Sequence, residues 1–233
     1  MLKKIIVTGG EGRFAKELKK FKSQYNFFFR SKKQLNILIP SSIEANIKKF
    51  RPDAILHLAG MSRPMHMHEK NINLSIDLNV IGTANLVKAC NKKKIKIIFL
   101  STSYLYPGKK GNYKEEDPLL PWNNYGWSKL GAESAVQMYK NSLIIRACMT
   151  EKPFIHKYAY ENVKCNFIFH DEFIKIFLKI IKLKGIINIG GKSQSIYQFA
   201  KKYNRKVKKK SSKGELPLKM YMSLQKVKSL IKK

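Results

Sequence analysis

Tyr125 and Lys129, in Tyr125-Gly126-Trp127-Ser128-Lys129, are residues whose types and spacing suit proton transfer. On a helix, positions four apart lie on one face, one turn apart. A free phenol has a pKa of about 10, too high for ready exchange at neutral pH. A neighbouring ammonium favours the phenolate and lowers that value. Such a pair can serve as general acid for a carbonyl that is being reduced. The same spacing recurs at Tyr106/Lys110, Tyr160/Lys164 and Tyr197/Lys201, so spacing alone does not select Tyr125. Pro107-Gly108 breaks the first of these rivals, and the other two fall in the weakly patterned C-terminal third. What selects Tyr125 is the order of the elements upstream.

Those elements alternate. Ile5-Ile6-Val7 is a short β-branched run that ends in Thr8-Gly9-Gly10-Glu11-Gly12-Arg13-Phe14-Ala15, followed by a helical stretch through Lys22. Gly9-x-x-Gly12-x-x-Ala15 matches a turn in which glycines let the backbone approach a pyrophosphate at a helix N-terminus. The bland alternative is an ordinary strand-to-helix turn. Tyr25 to Phe29 reads as the second strand, where a dinucleotide fold reads the adenosine ribose. Arg30-Ser31-Lys32-Lys33 follows it where an acidic residue would favour NAD, so a 2′-phosphate suits this loop. The alternative there is a basic loop with no ligand.

Ser41-Ser42-Ile43-Glu44 has the form of a capping box opening a helix to Phe50. Ala54 to Leu58 is the third strand, ending at Ala59-Gly60, whose small side chains let a cofactor lie close. His57 reads as a strand residue, and Met65-His66-Met67-His68 as a solvated loop with no third metal ligand near it. Asn71 to Asn91 carries one long helical pattern. Ile95 to Leu100 is the fourth strand, apolar apart from Lys96, as a buried parallel strand should be. It runs into Ser101-Thr102-Ser103-Tyr104, and a loop then leads to the helix of Tyr125 and Lys129. Leu143-Ile144-Ile145 is the fifth strand. After it come Phe167-Ile168-Phe169, an amphipathic helix from Asp171 to Lys184, Ile186 to Ile189, a short helix near Ser195 to Tyr203, and a basic tail. Alternating strands and helices predict an α/β fold, a doubly wound parallel sheet with right-handed crossovers. Ligands bind beyond the carboxyl ends of such strands, where the glycine loop, Ala59-Gly60, Thr102 and the Tyr125 helix gather.

The chain has 233 residues, 44% of them hydrophobic, which suits a globular protein with a substantial core. No apolar run approaches the ~20 residues that span a bilayer, and the early glycines do not suit a signal peptide. Three scattered cysteines form no disulfide framework or metal spacing, so a reducing cytoplasm is the expected setting. The net charge of +32 admits a nucleic-acid binder, but lysines occur in almost every segment and only Lys201 to Lys213 forms a dense block. Lysines spread over solvated faces are the preferred reading, with no specific nucleic-acid partner and no metal.

The chain resembles the extended short-chain dehydrogenases/reductases, and within them the dTDP-4-dehydrorhamnose reductases. The marks are Thr8-Gly9-Gly10-x-Gly12, Leu35-Asn36-Ile37, Arg51-Pro52-Asp53-Ala54-Ile55 and His57-Leu58-Ala59-Gly60. Further marks are Asn79-x-x-Gly82-Thr83-x-Asn85-Leu86, Ser101-Thr102-x-Tyr104-x-Tyr106 and Tyr125-Gly126-x-Ser128-Lys129-x-Gly131-x-Glu133. They cover residues 1 to about 147 in order. The resemblance implies a Rossmann-type NAD(P)-binding domain over 1–147 and a small, trimmed substrate-binding region over 148–233. It implies a catalytic set of Thr102, Tyr125 and Lys129. It implies cofactor contacts from Gly9, Gly10, Gly12, Arg13, Phe14, Arg30, Ser31, Lys32, Leu58, Ala59, Gly60, Asn79, Ser101, Tyr125 and Lys129. NADP(H) is the preferred cofactor, with NAD(H) as the alternative.

By the resemblance, Tyr125 protonates the substrate oxygen, Lys129 holds the nicotinamide ribose hydroxyls, and Thr102 donates a hydrogen bond to the carbonyl oxygen. Dehydratases of the superfamily carry an acidic pair after the threonine, and here Ser103-Tyr104 stands there. Reductases usually carry Asp at the position of Ser103. The implied activity is NADPH-dependent reduction of a nucleotide-linked 4-keto-6-deoxysugar for cell-surface polysaccharide synthesis, in a protein that admits a homodimer. The alternatives are a sugar-nucleotide 4-epimerase and a non-catalytic NADP-binding regulatory module.

Overall fold

The computed structural model of the chain describes residues 2–154 and 156–232. From the N-terminus run β1 (Lys4–Thr8), α1 (Arg13–Leu18), β2 (Asn26–Arg30), α2 (Pro40–Phe50) and β3 (Ala54–His57). Then come α3 (Met67–Lys70), α4 (Ile72–Ser75), a π-helical segment (Ile76–Ile81), α5 (Gly82–Lys93) and β4 (Lys96–Thr102). A 3-10 turn (Ser103–Leu105), α6 (Asn124–Gln137), β5 (Ser142–Ala147), β6 (Met149–Thr150), β7 (Tyr158–Tyr160), β8 (Lys164–Cys165) and β9 (Ile168–Phe169) follow. The chain ends through α7 (His170–Ile180), β10 (Gly185–Ile189), β11 (Gln194–Ser195), α8 (Ile196–Tyr203), β12 (Lys208–Lys210) and α9 (Gln225–Lys232).

The fold is α/β, around a six-stranded sheet in the order β10-β5-β4-β3-β1-β2. β1 pairs in parallel with β2 and β3, and β3 with β4. Sequence order reverses at β1/β3, as in doubly wound sheets. All residues of β3 and β5 are buried, which explains their near-continuous apolar runs. The Lys96 exception in β4 is also buried, its Nζ donating to the carbonyls of Lys182 (3.4 Å) and Leu183 (2.5 Å). Loss of hydration holds its pKa down at about 8, with Lys184 adding repulsion.

The chain divides into two compact units that interleave in sequence. The first takes the chain up to Ser101, Asn123–Ile145 and Ile181–Ile186; the second takes Thr102–Trp122, Arg146–Ile180 and the chain from Ile187 on. β5 ends at Ala147. The first unit's core joins Ile6, Ile55, Ile97, Phe99 and Ile144 of the sheet to Ile43 and Ile47 of α2, Leu86 of α5, and Ala132 and Val136 of α6.

The second unit is built from three two-stranded pairs, β6 with β9, β7 with β12 and β8 with β11. Its aromatic-rich core includes Tyr106, Tyr113, Phe154, Phe169 and Phe199. Arg146, 2% exposed, donates through Nη1 to the Tyr106 hydroxyl and the Glu115 carbonyl, both at 2.8 Å. Burial pushes the Tyr106 phenol up to about 12, with Arg146 opposing. Tyr106 is therefore a structural phenol.

Four local expectations need correction. α2 begins at Pro40 with Ile39 as its N-cap and no side-chain cap, so Ser41 stands inside the first turn, and the Ser42 hydroxyl accepts from the Asn36 amide. The helix expected over Asn71 to Asn91 is divided into α4, the π-helical segment and α5. Part of the basic tail is ordered as β12, in parallel register with β7. His68 is fully buried rather than solvated, although His66 is exposed. Among the described residues no helix is long and apolar enough to cross a membrane, and no His, Cys, Asp and Glu cluster suits a metal.

Candidate active site at the carboxyl edge of the sheet

Glycine sets the geometry where β1 ends. Gly9 has φ +64°, and a Cβ there would meet the Ala59 amide nitrogen at 2.8 Å. A Cβ on Gly10 would lie 2.7 Å from the Arg30 nitrogen, and the Gly10 amide donates to the Arg30 carbonyl at 2.8 Å. These two glycines are required by the neighbouring strand ends themselves. Gly12 is different: it is exposed, precedes α1 as its N-cap, and a Cβ there meets only the Gly9 carbonyl at 3.1 Å. It is the glycine of the three with room for a ligand. Arg13 beside it is exposed and Phe14 is buried.

Arg30 closes β2 with its Nε donating to the Phe29 carbonyl (2.9 Å) and its guanidinium 4.8 Å from the Phe50 ring centre. Ser31 accepts from the Gln34 amide at 3.4 Å and its own amide donates to the Gln34 side chain, which forms a short turn. Lys32 is exposed on that turn.

His57 works as a joint among the strand ends. The Thr83 hydroxyl donates to the Asn79 carbonyl (2.6 Å), so it accepts from Nε2–H of His57 (2.9 Å). Nδ1 then accepts from the Thr8 hydroxyl (2.9 Å), which in turn accepts from the Leu58 and Ala59 amides at 3.1 Å each. Burial, with repulsion from Lys129, holds the His57 pKa down at about 3, so the ring is neutral. His57 is thus a strand residue, as the sequence suggested.

Asn79, 3% exposed, is used within the protein. Its carbonyl oxygen accepts from the Met61 amide (2.7 Å), and its Nδ2 donates to the Met61 carbonyl (2.9 Å) and the Ser128 hydroxyl (2.8 Å). Ser128 donates onward to the Tyr125 carbonyl at 2.8 Å. The Ser101 hydroxyl donates to the buried Glu133 carboxylate at 2.6 Å. Asn79 and Ser101 therefore position α6 and the loop after β3.

α6 starts at an Asn123 cap, whose side chain accepts from the Gly126 amide (2.8 Å). Tyr125 and Lys129 lie one turn apart on it. Gly131 lets α6 approach the π-helical segment, since a Cβ there would come within 3.2 Å of Val80. Lys129 is half-buried, its Nζ donating to the Leu100 carbonyl at 2.8 Å and sitting 4.0 Å from the Phe99 ring centre. Desolvation drops its pKa to about 7, with the Glu133 carboxylate opposing. A lysine in this state donates hydrogen bonds and exchanges protons near neutrality.

Thr102 is the last residue of β4 and belongs to the second unit. It is buried, and its hydroxyl oxygen accepts from the Tyr104 amide at 3.3 Å, capping the 3-10 turn. The Tyr104 ring lies 5.1 Å from that of Trp122.

In the first unit the structure therefore gathers Gly9, Gly10, Gly12, Arg30, Leu58, Ala59, Gly60, Asn79, Ser101, Tyr125 and Lys129 around the carboxyl ends of β1 to β4. Sequence reasoning missed the positioning roles of Thr8, Thr83 and Glu133, although all three stand inside the quoted motifs. It also missed His68, for which the sequence carried no signal.

Residues 3–150 match the sequence profile of the RmlD substrate binding domain. A methionine adenosyltransferase 2 subunit beta from Pongo abelii is 31% identical over 143 residues, 58% of this chain and 42% of that protein. The spore coat polysaccharide biosynthesis protein SpsK of Bacillus subtilis is 31% identical over 147 residues, 61% of this chain and 52% of SpsK. The chain thus spans about half the length of these curated relatives or less. Among solved structures, dTDP-4-dehydrorhamnose reductase from Bacillus anthracis in complex with NADP superposes with a TM-score of 0.88 at 22% identity, covering 98% of this chain and 92% of that one. That coverage limits the trimming expected after residue 147 to a small share of that structure.

Proposed function

The chain belongs to the RmlD substrate binding domain family, and on that premise we propose that it is an NADPH-dependent reductase of a nucleotide-linked 4-keto-6-deoxysugar. The observation that carries the reading is the Tyr125–Lys129 pair, one helical turn apart, with Lys129 anchored to the carbonyl of Leu100 two residues before Thr102. Likeness to the dTDP-4-dehydrorhamnose reductase fold and to a polysaccharide biosynthesis protein supports the substrate class. The setting that fits such a substrate is the cytoplasm.

The glycine corner fits a dinucleotide, since Gly12 is open where a side chain would fill the approach. Gly12 and Arg13 would hold the pyrophosphate, Arg30, Ser31 and Lys32 the 2′-phosphate, and Lys129 the nicotinamide ribose. When bound, NADPH supplies the hydride. Tyr125 gives its phenolic proton to the substrate oxygen as negative charge develops there. Lys129, cationic or hydrogen-bonding near neutral pH, favours the phenolate that remains. Thr102, the last residue of β4, carries a hydroxyl donor of the kind that stabilises such developing charge.

The test is anaerobic NADPH oxidation with a panel of nucleotide-linked 4-keto-6-deoxysugars. Tyr125→Phe should lower turnover by about 10²–10⁴-fold with NADPH affinity and fold unchanged. A Phe variant as fast as wild type would remove Tyr125 from the chemistry. A second reading, an NADP-binding module without turnover, is favoured by relatives that are named as subunits of an adenosyltransferase. It requires that NADPH bind, that no keto-sugar be reduced, and that Tyr125→Phe leave partner binding untouched.

A further inference from the structure

Behind Tyr125 stands a histidine that the reading above does not use. His68 is 0% exposed, and its ring centre lies 5.1 Å from that of Tyr125 with the planes inclined at 58°. Two sets of contacts hold it there. Its Nδ1 shares a 2.7 Å hydrogen bond with the Ser75 hydroxyl of α4. Its own helix, α3, is fastened to the start of α6 by Glu69, whose carboxylate accepts from the Asn124 amide (3.2 Å) and from the Asn124 side chain. The Asn124 side chain also donates to the His68 carbonyl at 3.5 Å.

The other ring nitrogen is the anomaly. Nε2 is buried and has no hydrogen-bond partner. An unpaired buried polar atom lowers stability, and such atoms are few in native proteins. Burial also depresses the His68 pKa below that of a free imidazole, with Glu69 opposing. A phenylalanine would fill the same space without the orphan nitrogen. A buried polar ring with an unpaired nitrogen is a place where stability is traded against function. The nitrogen that is used, Nδ1, fixes the rotation of the ring about its own axis, which a phenylalanine lacks.

We propose that His68 is a positioning residue for Tyr125: a flat wedge, locked by Ser75, that holds the phenol ring in the orientation needed to meet a substrate oxygen. This rests on the reductase reading and places the constraint on the end of α6 away from Lys129. The wedge therefore acts on proton delivery and leaves the cofactor ribose contact alone.

Three variants separate the wedge from plain packing. His68→Asn keeps a group able to bond Ser75 but removes the ring. His68→Phe keeps a ring and removes both nitrogens. Ser75→Ala keeps the imidazole and unlocks it. With NADPH and a reducible keto-sugar, His68→Asn should lower kcat at least tenfold with NADPH affinity unchanged. His68→Phe keeps a ring but loses the Ser75 lock, so its kcat should fall about as far as in Ser75→Ala, while it unfolds at the same or a higher temperature than wild type. Ser75→Ala should fall between wild type and His68→Asn in kcat. A purely structural role gives the opposite order, with His68→Phe the less stable protein and His68→Asn unimpaired in turnover per folded molecule. Either His68→Asn turning over like wild type, or its kcat and NADPH affinity falling together, would overturn the proposal.

A wild type that reduces no keto-sugar would sink the reductase reading, and the hold of His68 on the Tyr125 ring is then tested on its own. The Tyr125 ring signals in 13C-tyrosine-labelled protein, assigned by their loss in Tyr125→Phe, report its orientation directly. Restricted ring motion is expected in wild type, and free averaging in His68→Asn. Identical ring motion in wild type and His68→Asn would refute the wedge whether or not turnover is seen.

Discussion

Lys129→Met is expected to stabilise the fold at pH 6 while it weakens NADPH binding. In the folded protein the ammonium is half-buried over Phe99, and loss of hydration lowers its pKa from the ordinary 10.5 to about 7. That gap corresponds to about 5 kcal/mol against the charged form. Partial exposure and solvent screening reduce it to about 2–3 kcal/mol. Methionine keeps most of the aliphatic stem, but it leaves the Leu100 carbonyl without its 2.8 Å donor, a loss of about 1 kcal/mol. The net gain is about 1–2 kcal/mol at pH 6 by that arithmetic. Its pH dependence is distinctive. Below about 7 the lysine is charged in both folded and unfolded chains, and the penalty is present in full. Between about 7 and 10.5 the unfolded chain binds a proton that the folded chain has released, so wild-type stability rises with pH. The advantage of the variant should therefore shrink steadily above pH 7. Urea unfolding of both proteins at pH 6, 7.5 and 9 measures it, and the remaining lysines cancel in the difference. A gap that stays constant from pH 6 to 9, or a variant less stable at pH 6, would refute the account of Lys129 as a desolvated ammonium.

Two further outcomes follow from the glycine corner. Arg30→Ala should weaken NADPH binding by roughly ten- to a hundredfold, the loss of one charge-assisted contact, and leave NADH binding nearly unchanged; equal losses for both in titration would remove Arg30 from the 2′-phosphate. Gly10→Ala puts a methyl 2.7 Å from the Arg30 nitrogen and 2.9 Å from the Phe29 carbonyl carbon, so it should destabilise by about 3 kcal/mol, near the upper end for overpacking. Thermal unfolding checks it, and a melting temperature equal to wild type would show that the β2 end yields.

What the sequence disclosed was local. β1, β3, β4 and β5 were readable because β-branched runs ended in glycine, proline or polar residues within a few positions. Tyr125 and Lys129 were readable because a helix makes positions four apart neighbours. What stayed hidden depended on partners far along the chain. The Ser41 to Glu44 box failed because α2 starts one residue ahead of Ser41, at Pro40, whose fixed φ suits a first helical turn. His68 looked solvated beside His66, and only the approach of Ser75 and Tyr125 buries it. The β7–β12 pair joins very short strands that have β8, β9, α7, β10, β11 and α8 between them in the chain, and β12 is three exposed lysines with no alternation to betray it.

The same long-range character explains how the site is held. The Gly10 amide fixes the Arg30 carbonyl, and Gly60 accommodates the side-chain Oδ1 of Asn79 where a Cβ would lie 2.7 Å away. Asn79 holds Ser128, and Ser128 holds the Tyr125 carbonyl. The loop proposed to select the cofactor and the helix proposed to deliver the proton thus hang from one set of strand ends. A substitution at those glycines would act on the chemistry by displacing backbone, while one at Lys129 acts through charge. The two classes separate by pH: the first lowers turnover evenly across the range, and the second changes it most near pH 7, where Lys129 titrates.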